Sequence, residues 1–185
     1  AITKAIHVGE RARTETEINE GVVSLGSAAV ELARRETDLD GSTALVVGAG
    51  EMGSLAATAL ESAGVDRILV ANRTIPHATH IAEAVDADAS AIGLDAAASA
   101  AARADVVITA TSSPAYVLDR DGLDDAGETL CIDLAQPRDV DPAAAALDAV
   151  ELFDIDALES ITDSTHRRRA EAAREVEAMI DEEFD

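Results

Sequence analysis

Residues 43–53 read TALVVGAGEMG, a short apolar run that leads directly into a glycine-rich turn and the start of a helix. In a Gly-x-Gly-x-x-Gly motif, the first glycine makes a tight turn, the second lets the backbone approach a pyrophosphate, and the third lets helix and strand pack closely. The helix N-terminus adds N–H groups and a partial positive charge, which favour phosphate. Because the motif lies between a predicted strand and a predicted helix, we predict a dinucleotide site rather than a ligand-free glycine turn. The predicted pyrophosphate-binding residues are Gly48, Ala49, Gly50, Glu51, Met52 and Gly53.

The rest of the chain alternates β-branched runs with alanine-rich stretches of helical character. Such alternation implies right-handed crossovers and a parallel sheet covered by helices on both faces. We therefore predict an α/β fold with a Rossmann-type, doubly wound, mostly parallel sheet, flanking helices and helical extensions at both ends. The predicted strands lie near residues 43–47, 67–71, 87–91, 105–109, 130–134 and 150–153, and the predicted helices near 51–63, 77–85 and 94–104. The alanine-rich run at residues 143–146 is also predicted to be helical.

Helical periodicity before and after this region predicts two extensions. Apolar residues between Val22 and Leu32 fall on a helical period, and residues 166–184 form a second helical stretch with a narrow apolar stripe. We predict a connector helix in residues 1–38, a dinucleotide-binding domain in 39–155, and the start of a linking helix in 156–185.

The composition is strongly acidic, with a formal net charge of -23 and Lys4 as the single lysine among fourteen basic residues. In concentrated salt the repulsion between carboxylates is screened, so this charge costs little compactness there. The same charge argues against DNA binding, because phosphate contacts need clustered basic side chains. No apolar run is long enough to span a membrane and no signal peptide is evident, so we expect a cytoplasmic protein without a membrane partner.

The end of the second predicted strand carries Asn72, Arg73 and Thr74. An acidic residue normally stands there to bind the ribose hydroxyls of NAD, and Asn72 replaces it. The Arg73 guanidinium can bind an adenosine 2′-phosphate, and the side chains of Asn72 and Thr74 can add hydrogen bonds. The sequence therefore predicts NADPH as the cofactor rather than NADH, in preference to the alternative that Arg73 is merely an exposed charge.

Two further segments follow the fourth and fifth predicted strands, at the edge where open α/β sheets bind ligands. Thr111 and Ser112 could line the nicotinamide end of the cofactor, and equally they could belong to an ordinary Ser-Pro turn. Arg138 could form an ion pair with Asp133 or with Asp139, and we favour this structural role.

Other reactive side chains receive structural interpretations. Cys131 lies inside a predicted central strand, so we expect a buried core thiol rather than a nucleophile, and a single cysteine allows no disulfide framework. His77 and His80 have metal-compatible spacing but no third ligand, so we expect a solvated helix face. Residues 167–169 are three arginines that could contact nucleic-acid phosphate, although ion pairs with following glutamates are favoured. We assign no catalytic residue and no metal ligand.

Taken in order, several motifs resemble those of glutamyl-tRNA reductases. RARTET at residues 11–16 and GVVS at 21–24 precede the glycine motif, and IDLAQPRD at 132–139 follows the Asn-Arg-Thr strand end. The resemblance implies an NADPH-dependent oxidoreductase that reduces glutamyl-tRNA, through an enzyme thioester, to glutamate-1-semialdehyde for tetrapyrrole (porphyrin) biosynthesis. With the acidic composition, it indicates a salt-adapted, haloarchaeal proteome.

The resemblance also implies parts that this chain does not contain. The family's catalytic cysteine belongs to an amino-terminal domain, and Cys131 does not match its motif, so we expect cofactor binding without catalysis. Glutamyl-tRNA is then expected to bind through that other domain, and the whole protein to form a homodimer and to meet glutamate-1-semialdehyde aminomutase. The alternatives are an NADP oxidoreductase resembling shikimate dehydrogenase, and a non-enzymatic module that senses dinucleotides.

Overall fold

The computed structural model describes residues 17–160 and residue 163, with side chains described from Leu25 onward. In this part of the chain the helices are α1 (Glu17–Glu36), α2 (Glu51–Ser62), α3 (Ile75–Ala84) and α4 (Ala97–Ala101). The strands are β1 (Thr43–Val47), β2 (Arg67–Asn72), β3 (Asp88–Gly93), β4 (Val106–Thr109), β5 (Thr129–Asp133) and β6 (Val150–Asp154). Short 3-10 helices occupy Leu94–Ala96, Asp121–Leu123 and Pro142–Ala146, and residues 155–160 are again α-helical. The motif at residues 11–16, the helix predicted at 166–184 and its arginines at 167–169 lie outside the described residues.

The six strands form one all-parallel sheet in the order β3-β2-β1-β4-β5-β6. The chain first builds outward from β1 to β3, then crosses back and adds β4 on the other side of β1. At this reversal Val47 pairs with Ala71 of β2 on one side and with Thr109 of β4 on the other. The predicted doubly wound Rossmann-type fold is confirmed.

Both faces of the sheet are buried, because the central strands carry apolar side chains at nearly every position. Val46, Ile108 and Ile132 belong to a core cluster that they share with α1, α2 and α3. Their neighbours Leu45, Val107 and Cys131 belong to a second cluster, with α4 and the loops that follow β4 and β5. Strands buried on both faces are typical of parallel sheets, which explains why these strands show no polar alternation in sequence.

Helix α1 packs on the same core as the sheet. Ala29, Val30, Leu32 and Ala33 are all buried in the first cluster. A Cβ atom built on Gly26 would lie 3.2 Å from the Cβ of Leu55, so α1 and α2 approach closely at this glycine. The packed core therefore extends to residues that precede residue 39.

Several predicted boundaries shift by a few residues, for local reasons. Helix α3 begins at Ile75 rather than near residue 77, and Pro76 lies in its first turn. Proline is tolerated there because the N–H groups of the first turn have no partner within the helix. The helix predicted at 94–104 divides into a 3-10 turn, in which the Ala97 N–H bonds to the Leu94 carbonyl, and α4. Helix α4 ends at Ala101 because the N–H groups of Arg103 and Ala104 bond three residues back and tighten the chain before β4. The alanine run at 143–146 is helical, as predicted, but as a 3-10 helix capped by the Asp141 carboxylate.

Among the described helices, none combines the length and apolar character needed to cross a bilayer.

Candidate dinucleotide-binding site

The glycine-rich turn lies at the carboxyl end of β1, between the ends of β2 and β4. Gly48 has a φ of 111°, and its N–H donates to the Ala71 carbonyl at 2.8 Å. A Cβ atom on Gly48 would lie 2.5 Å from the carbonyl oxygen of Ala110. Both the backbone angle and the close approach exclude a larger residue, so Gly48 makes the tight turn that the motif predicts.

The other two motif glycines lie at the start of α2: Gly50 immediately precedes the helix and Gly53 belongs to its first turn. A Cβ atom on Gly53 would lie 2.0 Å from the Gly48 carbonyl oxygen, so Gly53 lets the helix pack on the turn. In contrast, a Cβ atom on Gly50 would meet nothing within 4 Å. Gly50 is also the N-cap of α2 and no side chain caps the helix there. The N-terminus of α2 thus faces an open space in which its first N–H groups could bind an anion.

The remaining residues of the motif have different surroundings. Ala49 and Met52 are half-buried and pack against the first core cluster, whereas Glu51 is exposed in the first turn of α2. Their side chains therefore pack against the core or face solvent. An anion at this turn would be bound by backbone N–H groups rather than by these side chains.

Asn72 connects the glycine turn to the end of β2. Its Oδ1 accepts a hydrogen bond from the Ala49 N–H at 3.3 Å, and its Nδ2 donates to the Thr74 carbonyl at 3.0 Å. The sequence predicted that Asn72 contacts the cofactor directly and did not reveal this bridging role. The amide holds two binding segments in register, which a carboxylate could not do through the Thr74 carbonyl because it has no N–H to donate.

Arg73 and Thr74 are exposed beside this bridge. No ion pair or hydrogen bond joins the Arg73 guanidinium to any described residue. Thr74 is the N-cap of α3, but its hydroxyl makes no capping bond, and the first turn of α3 contains no acidic residue. On a chain of net charge -23, this corner combines an arginine that pairs with none of the described residues, an available hydroxyl and a helix N-terminus. Such a corner is suited to bind a phosphate group.

The loop after β4 is held by a buried carboxylate. Asp139 accepts hydrogen bonds from the Thr111 N–H, at 2.7 Å, and from the Thr111 hydroxyl. The same hydroxyl accepts from the Ser113 N–H at 3.0 Å. Thr111, predicted to line the nicotinamide end, thus has its hydroxyl committed to the protein. Ser112 is exposed at the same edge and makes no hydrogen bond to the described residues.

Asp133, at the end of β5, accepts hydrogen bonds from four groups. They are the Thr109 hydroxyl at 2.8 Å and the N–H groups of Ala135, Asp139 and Val140 at 3.0 to 3.1 Å. Arg138 forms an ion pair with Asp133 at 3.6 Å and a second with Asp154 at 3.6 Å. The structural role favoured for Arg138 is confirmed, and its carboxylate partners are Asp133 and Asp154 rather than Asp139.

Burial shifts the titration of two groups in this region. It raises the pKa of the Asp139 carboxyl above its usual range, and the neighbouring Asp133 carboxylate raises it further, while the hydrogen bonds from Thr111 oppose the shift. Burial and, to a smaller extent, Asp133 raise the pKa of the Cys131 thiol to about 12. Cys131 is therefore a protonated core residue, as predicted, because the thiolate is the nucleophilic form.

The predicted histidine pair lies away from any cluster of ligands. His77 and His80 are exposed on α3, in agreement with a solvated face. Over the described residues, no three histidine, cysteine or acidic side chains are close enough together to hold a metal ion.

Comparisons with known proteins match this chain to one dehydrogenase family model and to several glutamyl-tRNA reductases. The family model described as shikimate / quinate 5-dehydrogenase matches residues 31–161. A glutamyl-tRNA reductase from Haloarcula marismortui is 59% identical over 184 residues, which cover 100% of this chain and 41% of the relative. The solved glutamyl-tRNA reductase from Methanopyrus kandleri has a TM-score of 0.77 and 41% identity, and the match covers 97% of this chain and 47% of that one. The solved nucleotide-binding domain of glutamyl-tRNA reductase from Thermoplasma volcanium has a TM-score of 0.63 and 26% identity, covering 80% of this chain and 97% of that domain.

These matches confirm the resemblance that the sequence motifs indicated. The chain spans less than half the length of the Haloarcula and Methanopyrus proteins, whereas the Thermoplasma match takes in nearly the whole of an isolated domain. The matched region of the family model contains the glycine turn, the end of β2 and the loops after β4 and β5.

Proposed function

The chain belongs to the shikimate/quinate 5-dehydrogenase family, and we propose that it is the NADPH-binding domain of a glutamyl-tRNA reductase within that family. The glycine turn holds the pyrophosphate, the corner at residues 72–74 holds the 2′-phosphate, and the loop at residues 110–113 borders the nicotinamide. When bound, NADPH supplies the hydride.

The observation that carries the choice of NADPH over NADH is the exposed Arg73 just after β2, which forms no ion pair or hydrogen bond with the residues that the structure describes. A carboxylate at this edge would repel the 2′-phosphate, and Asn72 stands where an NAD-binding protein normally has one. Since this guanidinium has no partner in the described part of the chain, it gives up no ion pair there when it binds phosphate. Because the chain as a whole has a net charge of -23, this local positive group is the feature that discriminates between the two cofactors.

The residues of the glycine turn fit the pyrophosphate for steric and electrostatic reasons. The space beside Gly50 is open, no side chain caps α2, and the free N–H groups and dipole at a helix N-terminus favour a negative ligand there. Asn72 fixes the distance between this turn and the 2′-phosphate corner through Ala49 and Thr74. The two phosphate positions are therefore preorganised relative to each other.

For the whole protein, we propose reduction of glutamyl-tRNA to glutamate-1-semialdehyde in porphyrin biosynthesis. Its catalytic cysteine and tRNA-binding groups are expected outside this chain, which spans 41% of the Haloarcula relative. The proposed arrangement has a connector in residues 1–38, the cofactor domain in 39–155 and a linking helix from 156 onward. We also propose that the whole protein forms a homodimer and contacts glutamate-1-semialdehyde aminomutase. Its proposed location is a salt-rich cytoplasm.

The test is a calorimetric titration of the unchanged chain and of Arg73→Ala with NADPH and with NADH, in molar potassium chloride. Hydrogen bonds to charged groups contribute about 1.5–3 kcal/mol, so we expect Arg73→Ala to weaken NADPH binding at least about tenfold. NADH binding should change less than about twofold, because NADH has no 2′-phosphate to lose.

Arg103→Ala is the matched control. Arg103 is also exposed, but it lies just before β4, at the opposite edge of the sheet from the glycine turn. This variant should leave both affinities unchanged. An equal loss for NADPH and NADH in Arg73→Ala would refute the cofactor assignment, and failure of the unchanged chain to bind either cofactor would refute the proposed function itself.

A second candidate is reduction of a small ketone by an enzyme resembling shikimate dehydrogenase, which the family model's own description favours. The two candidates share the cofactor site and differ in substrate. Turnover of glutamyl-tRNA against shikimate by the whole protein discriminates between them, because only one of these substrates requires a tRNA-binding surface.

A further inference from the structure

Asp139 holds both ends of the loop that follows β4. Its carboxylate accepts from the N–H and the hydroxyl of Thr111, at the beginning of the loop. Its backbone carbonyl accepts from the N–H groups of Val117 and Leu118, at 2.7 and 3.0 Å, where the loop ends. One residue on the β5 side therefore fixes residues 111–118 as a unit.

Asp139 is itself held in place by Asp133. The Asp133 carboxylate accepts from the Asp139 N–H at 3.1 Å, and it is anchored in turn to β4 through the Thr109 hydroxyl. Both carboxylates are buried, and each has hydrogen-bond donors on its two oxygens. Burying a carboxylate costs free energy unless its oxygens accept hydrogen bonds, and both carboxylates here accept them. The two carboxylates therefore form a rigid link between the two loops.

The loop that this link holds lies on the nicotinamide side of the proposed site. In a doubly wound sheet the dinucleotide lies across the point where the strand order reverses, which here falls between β1 and β4. Arg73, on the β2 side, takes the adenosine phosphate, so the nicotinamide half falls on the β4 side. Thr111 also borders the glycine turn, since its Cγ2 lies 3.2 Å from the Cβ position on Gly48.

We propose that Asp139 is a positioning residue for the nicotinamide half of the cofactor, acting through Thr111. By fixing Thr111, it sets the width of the crevice between the β1 turn and the β4 loop, and it directs the backbone at residues 110–113 and the exposed Ser112 hydroxyl toward the ring. This inference rests on the proposed function, and it assigns the Thr111 hydroxyl to the protein rather than to the cofactor.

The experiment compares two ligands on Asp139→Asn by calorimetry in molar potassium chloride. NADPH occupies both halves of the site, whereas adenosine 2′,5′-bisphosphate occupies only the half at the glycine turn and Arg73. The amide keeps the size of the carboxylate but loses its charge and one acceptor. We expect NADPH to bind about tenfold more weakly, because hydrogen bonds to a charged acceptor are lost, while adenosine 2′,5′-bisphosphate stays within about twofold of the unchanged chain.

Asp141→Asn is the matched control, because Asp141 lies two residues further along the same connection and caps the 3-10 helix through the Ala143 N–H. Asparagine caps helices about as well as aspartate, so this variant should keep both affinities. Equal weakening of the two ligands by Asp139→Asn, or no weakening of either, would overturn the positioning role. Failure of the unchanged chain to bind either ligand would instead overturn the proposed function.

Thr111→Val provides a second variant if circular dichroism shows that Asp139→Asn does not fold. Valine has nearly the shape of threonine and removes only the hydroxyl, leaving the backbone bond from residue 111 to Asp139 in place. We expect NADPH to bind at least about threefold more weakly and adenosine 2′,5′-bisphosphate to be unaffected, since the hydroxyl's bond to the Asp139 carboxylate and the bond it accepts from the Ser113 N–H are both lost. A folded Thr111→Val chain with unchanged NADPH affinity would overturn the inference.

Discussion

The Cβ position of Gly53 lies 2.0 Å from the carbonyl oxygen of Gly48, so the third glycine of the motif packs directly on the backbone of the first. Gly53→Ala would force the helix and the turn apart, and the obstacle is backbone rather than a flexible side chain. Overpacking costs about 1–3 kcal/mol, and we expect the upper part of that range here. Urea unfolding in molar potassium chloride measures the loss, and a stability equal to that of the unchanged chain would contradict this packing.

Gly50→Ala should have the opposite profile, because a Cβ atom at Gly50 meets nothing within 4 Å. Its φ of -87° is accessible to alanine, so the free energy of unfolding should fall by no more than about 1 kcal/mol, the usual cost of a poorer N-cap. The methyl group would nevertheless occupy the space through which a pyrophosphate approaches. We expect NADPH binding to weaken at least tenfold by calorimetry. Retained affinity would show that the ligand does not approach the turn at this glycine.

Local sequence was sufficient to predict the strands and the glycine turn. Residues 44–47 before Gly48 are all apolar because β1 is buried on both faces, and the positive φ of Gly48 and its contact with Gly53 arise within six residues of chain. The close approach of the Ala110 carbonyl to Gly48 comes from the end of β4, and no local pattern predicts it. The location of Asn72 at the binding edge was equally predictable, because the last residue of a predicted parallel strand lies at the carboxyl edge of the sheet. Cys131 could be assigned to the core because it lies inside a predicted strand that is buried on both faces.

The links between loops could not be predicted in the same way. Thr111 and Asp139 are 28 residues apart, and they meet only because β4 and β5 pair in a register that sets Thr109 beside Asp133. The bridge from Asn72 to Ala49 likewise depends on how β1 and β2 align. A hydroxyl at a ligand-binding edge is therefore an ambiguous signal, since a carboxylate from another loop can engage it first.

Arg138 should stabilise the fold because it lies between two carboxylates, one of which is completely buried. Arg138→Ala would leave Asp133 without its cation, although the four hydrogen bonds to that carboxylate remain. The arginine is about one-third exposed and the contacts are 3.6 Å, so we expect a loss of about 1–2 kcal/mol, below the range for a fully buried pair. Urea unfolding measures this loss.

The matched control for that substitution is Arg67→Ala. Arg67 pairs with Asp88 at 2.9 Å, a shorter distance, but both side chains are more than half exposed. Exposed pairs contribute about 0–1 kcal/mol and are screened further by salt, so this variant should be nearly neutral in molar potassium chloride. A greater loss for Arg67→Ala than for Arg138→Ala would show that burial does not decide the strength of these pairs.

Asp139 should also make stability depend on pH, in a direction set by its raised pKa. The carboxyl of an unfolded aspartate titrates near about pH 4, whereas the buried Asp139 holds its proton to a higher pH. Between these two values the folded chain binds more protons than the unfolded chain, so the contribution of Asp139 to stability falls as pH rises. The contribution is fully present below the unfolded value and is lost as pH passes through the folded value.

Comparison with Asp139→Asn isolates this contribution from the background of the other carboxylates, which both proteins share. Asp133, whose charge raises the pKa of Asp139, and the Arg138 that pairs with Asp133 are both retained in the variant. The free energy of unfolding of the unchanged chain minus that of the variant should therefore decrease as pH rises from about 4 toward neutrality. Urea unfolding of both proteins at several pH values in molar potassium chloride gives this difference. A difference that increases with pH would mean that hydrogen bonds from Thr111 outweigh the desolvation of the buried carboxylate.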